Sequence, residues 1–173
     1  MKRNVWCVLI LSLAAGCATG GSAVPAPFPR PNRGAADLST LPRAPRPPDP
    51  YAITSTALGL RGVPFVDGGT TPSGFDCSGF TSYVFGQHGL TLPRLAADQY
   101  QVGREVDPED IVAGDLLFFT TVAPGASHVA LAIDRDEFVH APSARGHVRV
   151  ERLSSSYWSR RFLGARRVVE TNP

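Results

Sequence analysis

The chain is short of lysine: Lys2 is the only one, so the remaining fixed positive charge is carried by arginine. Charge of both signs is sparse, at 18% of the 173 residues. Lys and Arg number 17 against 15 Asp and Glu, and Lys2 and Arg3 account for that surplus. A body so close to neutrality lacks the clustered positive charge with which proteins engage phosphate, which excludes nucleic acid as a partner. Cysteine is also scarce, with only Cys7, Cys17 and Cys77. Close ligand pairs of the CxxC or HxxxH type, which mark common zinc sites, are missing. There is no internal repeat, and no apolar run is long enough to serve as a permanent membrane span. What remains is 43% apolar, enough for one packed domain with appendages.

The appendages come first. The opening "MKRNVWCVLILSLAAGC" has a basic start, an apolar run over residues 5–15 and small residues leading to Cys17. This is the layout of a secretory signal. The small-residue exit directly before cysteine resembles a bacterial lipobox, with cleavage after residue 16 and lipid on Cys17. One departure is that Leu13 lies one place too far upstream, and Ala14 occupies the usual leucine position. The competing expectation is an ordinary secreted protein cut near Ala15 or Ala18. Several acyl chains on Cys17 would tether the protein stably where one chain binds only marginally. Residues 17–50 hold nine of the 16 prolines and no periodic apolar pattern, as expected of an extended, disordered spacer. The folded domain is expected over residues 51–173, as a monomer.

Within that domain, "YAITSTALGL" reads as a short helix and "FVDGGTTPSG" as a loop. A second helix is expected to begin at Cys77, with Phe80, Tyr83, Val84 and Gln87 at helical spacing and Gly89 as its stop. "LPRLAADQYQVG" reads as a third. Then come "GDLLFFTT", "HVALAID", "EFVHAP", "VRVERL" and "FLGARRVV", short strands between turn residues. Helices followed by an antiparallel sheet of five or six strands make an α+β fold.

Cys77, in "GFDCSGF", carries the chemical question. Cys7 leaves with the signal and lipid would cap Cys17, so Cys77 has no disulfide partner in a compartment that permits disulfides. It is either an inert core filler or a nucleophile at a helix start, where backbone N–H groups lower a thiol pKa and hold an oxyanion. A nucleophile needs a base. His88 lies at the far end of the same helix, where it is expected to meet the last carbonyls, and His147 falls in a hairpin loop. His128 opens the strand "HVALAID" on the side of Ala130 and Ala132, and a helix carrying Cys77 is expected to approach that less bulky face. His140 ends the next strand, and a hairpin around "DRDE" brings it beside His128. Nucleophile, base and orienting third group then follow triad logic, the third group fixing the tautomer of the base. A metal site of Cys77, His128, His140 and an aspartate is the competing constellation.

In order and spacing, "GFDCSGF", "LPR….Q", "GDLLFF", "HVALAI" and "FVHAP" resemble the NlpC family of bacterial cell-wall peptidases, which is papain-like. The similarity continues to "YWSRRFLGARRV". It implies a papain-like fold with the nucleophile at a helix N-terminus, and cysteine hydrolysis of an amide in peptidoglycan stem peptides. The bond would be D-γ-glutamyl–diaminopimelate or the D-alanyl–diaminopimelate crosslink. The resemblance gives Cys77 as nucleophile, His128 as general base and acid, and His140 as orienting residue, with no cofactor or metal. Asp76 and Ser78 match positions that in some members bind the substrate's free amine, and Asp76 also suits a helix cap.

Members commonly have a Pro-Tyr pair upstream with its hydroxyl in the site, and here the pair is Pro64–Phe65. Asp67 replaces a further aromatic residue, and a solvent-facing loop aspartate is its simplest reading. The expected protein is a lipid-anchored endopeptidase facing the periplasm, and Ala18 after Cys17 favours the outer membrane. The alternatives are a papain-like amidase acting on a non-wall amide, and a non-catalytic wall-binding lipoprotein.

Overall fold

The computed structural model describes residues 48–142 and 146–169. The signal segment 1–16, the lipidation residue Cys17 and the proline-rich spacer to residue 47 lie outside the described residues. No described helix is long and apolar enough to cross a membrane.

Helix α1 spans Pro50–Gly59. Proline opens its first turn, where a missing N–H costs nothing, and the side chain of Asp49 accepts the Tyr51 N–H at 3.0 Å. Ile53 and Ala57, one turn apart, form its buried stripe. A short hairpin follows, β1 (Thr70–Thr71) and β2 (Gly74–Phe75), which turns the chain back into α2 (Cys77–Gly86). Asp76 caps α2, its Oδ1 accepting the Gly79 N–H at 2.7 Å. Gly79 is required there for close approach, because a Cβ would stand 2.0 Å from the Gly69 carbonyl oxygen.

The remaining strands are β3 (Arg104–Val106), β4 (Leu116–Phe119), β5 (His128–Ala132), β6 (Glu137–His140), β7 (Arg149–Arg152) and β8 (Phe162–Arg167). They form one antiparallel sheet in the order β3-β8-β4-β5-β6-β7. The expected α+β architecture is therefore observed. Alternation along the strands divides the core between two faces. Leu116, Phe118, Val129, Leu131 and Val139 pack with Ile53, Phe80, Val84 and Phe85 of the helices. Leu117, Phe119, Ala130, Ala132 and Phe138 pack on the opposite face with Trp158, from the short helix α4 (Ser156–Ser159). Inside the β4–β8 region, buried Asp115 receives two bonds from Arg167, both at 2.7 Å, and also accepts the Val112 N–H at 2.9 Å. A buried carboxylate satisfied in this way is not left as an uncompensated charge.

Three local expectations differ from what is observed. The segment "LPRLAADQYQVG" is helical only as α3, Ala96–Gln99. Leu95 makes no side-chain cap, and the Pro93 carbonyl receives Ser82 Oγ at 3.1 Å and Gln99 Nε2 at 2.8 Å instead of starting a helix. His88 does not cap its own helix, because its Nε2 is bonded to Thr56 Oγ1 at 2.9 Å. Finally, α2 covers the Val129–Leu131 face and not the Ala130 face. The larger side chains offer more apolar area, and area removed from water is what drives a helix onto a sheet.

Candidate active site

Packing α2 on the bulkier face has a direct consequence for His128. It is the first residue of β5, so its side chain belongs to the Ala130 face but stands at the strand end. Cys77 is the first residue of α2 and lies at that same end. The backbone N–H groups of Val129 and Ser78 act on the Cys77 sulfur in the sense that favours its thiolate. Cys77 and His128 line one open pocket of about 520 Å³. Cys77 and His128 thus meet around the end of a strand, although they come from opposite faces of the sheet.

His128 and His140 are held tightly. The β5–β6 register pairs Leu131 with Val139, which sets His140 diagonal to His128 on one face. His128 Nε2 and His140 Nδ1 are 2.8 Å apart, with the rings at 89°. Trp158 stacks on His128, its ring centroid 5.5 Å away at an interplanar angle of 26°. Both imidazoles are buried among Phe119, Phe138 and Trp158. Burial, and then the neighbouring His140, push the His128 pKa down to about 3. Burial also pushes the Cys77 thiol above its ordinary value, against the opposing N–H bonds of Val129 and Ser78. Both shifts favour the uncharged forms, thiol and imidazole, at rest. Because Nε2 of His128 is engaged, Nδ1 is the ring nitrogen available to the thiol.

The other wall of the pocket holds the residues read from the sequence as substrate-binding. Asp76 and Ser78 flank Cys77, and Phe65, Asp67 and Gly68 line the pocket with them. Asp76 is already engaged beyond its capping bond: Arg94 Nη1 donates to Oδ1 at 3.1 Å and Nη2 to Oδ2. Arg94 Nη1 also reaches Ser78 Oγ at 3.0 Å. Leu95 and Val122, 59% and 75% exposed, stand on the rim. Among the described residues no group of three or more His, Cys, Asp or Glu is arranged to hold a metal ion.

Several residues of the site were not read from the sequence. Arg94 follows Pro93, whose carbonyl is held by Gln99; that side chain is fully buried and gives Nε2 also to the Ser78 carbonyl and to Ser82 Oγ, while Thr81 donates to its Oε1 at 2.8 Å. A Gln99→Leu protein would lose all four of these bonds, leaving Thr81 Oγ1 its bond to the Ser78 carbonyl and Ser82 Oγ its bond to the Pro93 carbonyl. Its unfolding free energy is expected to fall by about 1–3 kcal/mol, read as a lower urea midpoint at unchanged slope. An unchanged midpoint would show that the network contributes nothing. Glu151 and Trp158 were missed as well. The spacing of Arg149 and Glu151 in "VRVERL" puts both on the His140 face of β7, a signal visible only once β7 is paired with β6.

Against this geometry, the profile of the NlpC/P60 family matches residues 62–167. The chain belongs to the NlpC/P60 family. The matched stretch contains Phe65, Cys77, His128 and His140 and starts after α1. Among curated NlpC/P60-like sequences, a Gamma-DL-glutamyl hydrolase of Bacillus subtilis is 41% identical over 123 residues, 68% of this chain and 29% of that protein. The Murein DD-endopeptidase MepS/Murein LD-carboxypeptidase of Escherichia coli is 38% identical over 110 residues, 63% of this chain and 57% of that protein. The chain therefore spans less than two thirds of either relative. A solved NlpC/P60 family protein of Bacillus cereus superposes with a TM-score of 0.68 at 34% identity, over 72% of this chain and 42% of its own.

Proposed function

We propose that this protein is a cell-wall endopeptidase that hydrolyses an amide bond of peptidoglycan stem peptides through Cys77. The observation that carries this reading is the hydrogen-bonded His128–His140 pair at the strand end where Cys77 begins α2. His128 Nδ1 takes the thiol proton as Sγ forms its bond to the scissile carbonyl carbon. The carbonyl oxygen becomes an oxyanion facing the first-turn N–H groups of α2. Collapse breaks the C–N bond, and the departing amine takes the proton from His128. Water then adds to the thioester with His128 accepting its proton, the C–S bond breaks, and the thiol is restored.

Asp76, Ser78 and Arg94 form the polar wall of the pocket and would receive the charged end of the substrate. Arg94 already occupies one side of Asp76, so a bound ammonium shares that carboxylate with it. Phe65 brings a ring without a hydroxyl to the wall beside the nucleophile. Phe65→Tyr is expected to raise kcat severalfold on a cleaved stem peptide. A fall in kcat would mean that the apolar ring is itself the adaptation.

A lipid anchor at Cys17 and the proline-rich spacer would let the domain reach the wall from the membrane surface, with the outer membrane as the favoured site. The charge balance and the cleft also suit a monomer acting on its polymer substrate without a cofactor. Synthetic stem peptides test the reading. One contains a D-γ-glutamyl–diaminopimelate bond and another a D-alanyl–diaminopimelate crosslink. Cleavage of either supports it, and the bond cut defines the specificity. The 41% identity to a Gamma-DL-glutamyl hydrolase favours one second reading, hydrolysis of a γ-glutamyl amide other than that of the stem peptide. Cleavage of a poly-γ-glutamate with both stem peptides left intact would establish that instead.

A further inference from the structure

The bond between His128 Nε2 and His140 Nδ1 can be made in two directions. If His128 donates, its Nδ1 is an open lone pair for the Cys77 proton, and neutral His140 must carry its own proton on Nε2. If His140 donates, the His128 proton sits on Nδ1 and the base is lost. The choice rests with whatever faces His140 Nε2. That atom lies on a completely buried side chain and has no hydrogen-bond partner among the described residues. What faces it is a carboxylate: Glu151 Oε1, at 3.6 Å. Carboxylate oxygens only accept, so this group favours a proton on Nε2.

Glu151 is itself fixed. Trp158 Nε1 donates to Oε2, and Arg149 Nε donates to Oε1 at 2.5 Å. The indole that holds Glu151 also stacks on His128, so one side chain aligns both ends of the chain of groups. We propose that Glu151 is a positioning residue that keeps the His140 proton on Nε2 and thereby leaves His128 Nδ1 free to accept the Cys77 proton. This rests on the hydrolase reading above. The 3.6 Å separation suits a resting enzyme, in which such contacts are long and tighten when substrate binds.

The test is nitrogen NMR of the histidine rings at neutral pH, together with steady-state kinetics on a cleaved stem peptide. The wild type is expected to show both His128 and His140 protonated on Nε2. Glu151→Leu is expected to move both protons to Nδ1 and to lower kcat toward the loss of a positioned base, about 10²–10⁴-fold, with KM little changed. Glu151→Gln keeps an acceptor oxygen, so it is expected to retain the Nε2 tautomers with a smaller loss. Wild-type His140 protonated on Nδ1 would overturn the proposal. So would a folded Glu151→Leu protein with unchanged tautomers and kcat. If the leucine variant does not fold, the wild-type tautomers decide alone. If no stem peptide or γ-glutamyl substrate is cleaved, the hydrolase reading fails while the tautomer measurement still reads the role of Glu151.

Discussion

A His128→Ala protein is expected to hydrolyse its substrate about 10²–10⁴ times more slowly, the contribution typical of a positioned general base and acid. KM should change little, because the polar wall formed by Asp76, Ser78 and Arg94 is built from other elements. Most of the loss falls on the first proton transfer: the Cys77 thiol is held above its ordinary pKa by burial, so it is not ionised without a base. The substitution also removes the partner of His140 Nδ1 in a fully buried setting. An unpaired polar group there costs about 1–3 kcal/mol, so thermal unfolding of the variant must be recorded beside its kinetics. A loss below tenfold in a folded variant would remove His128 from the role of base.

The second large effect concerns pH. Alkylation of Cys77 by iodoacetamide is expected to accelerate with pH through neutrality into the alkaline range, with no plateau below pH 7. An ion pair at rest would need the thiol pKa to lie below that of the imidazole. Both shifts run the other way: burial raises Cys77, and burial with the His140 neighbour lowers His128 to about 3. Below its pKa a thiol's reactive fraction changes tenfold per pH unit, so even an ordinary thiol, with a pKa near 8.5, is only a few per cent ionised at pH 7. Rates are to be taken as the difference from a Cys77→Ala protein, which removes any reaction at the other cysteines. A flat rate from pH 5 to 7 would show a thiolate–imidazolium pair, and proton transfer would then precede substrate binding instead of accompanying attack.

What the sequence disclosed follows from the range over which each signal acts. Cys77 and its Asp76 cap were legible because a helix start is written in a handful of adjacent residues. His128 and His140 were legible because strand alternation and a tight hairpin turn fix a diagonal pair. The face that α2 covers was not, because both faces of β5 are apolar and only three-dimensional packing decides between valine–leucine and alanine. "LPRLAADQYQVG" carried good helix formers, yet Gln99 and Ser82 claim the Pro93 carbonyl through side chains distant in sequence. β3 was missed because two of its three residues are exposed and charged. Glu151 and Trp158 meet His140 and His128 only through pairing of β6 with β7 and the placement of α4.

The most direct measurement is digestion of purified peptidoglycan by the full protein, with Cys77→Ala in parallel and mass analysis of the released stems. The wild type is expected to release fragments ending at one defined stem-peptide bond, and the Cys77→Ala protein none of them. Identical product profiles for the two proteins would contradict the assignment of Cys77 as the nucleophile of a wall endopeptidase.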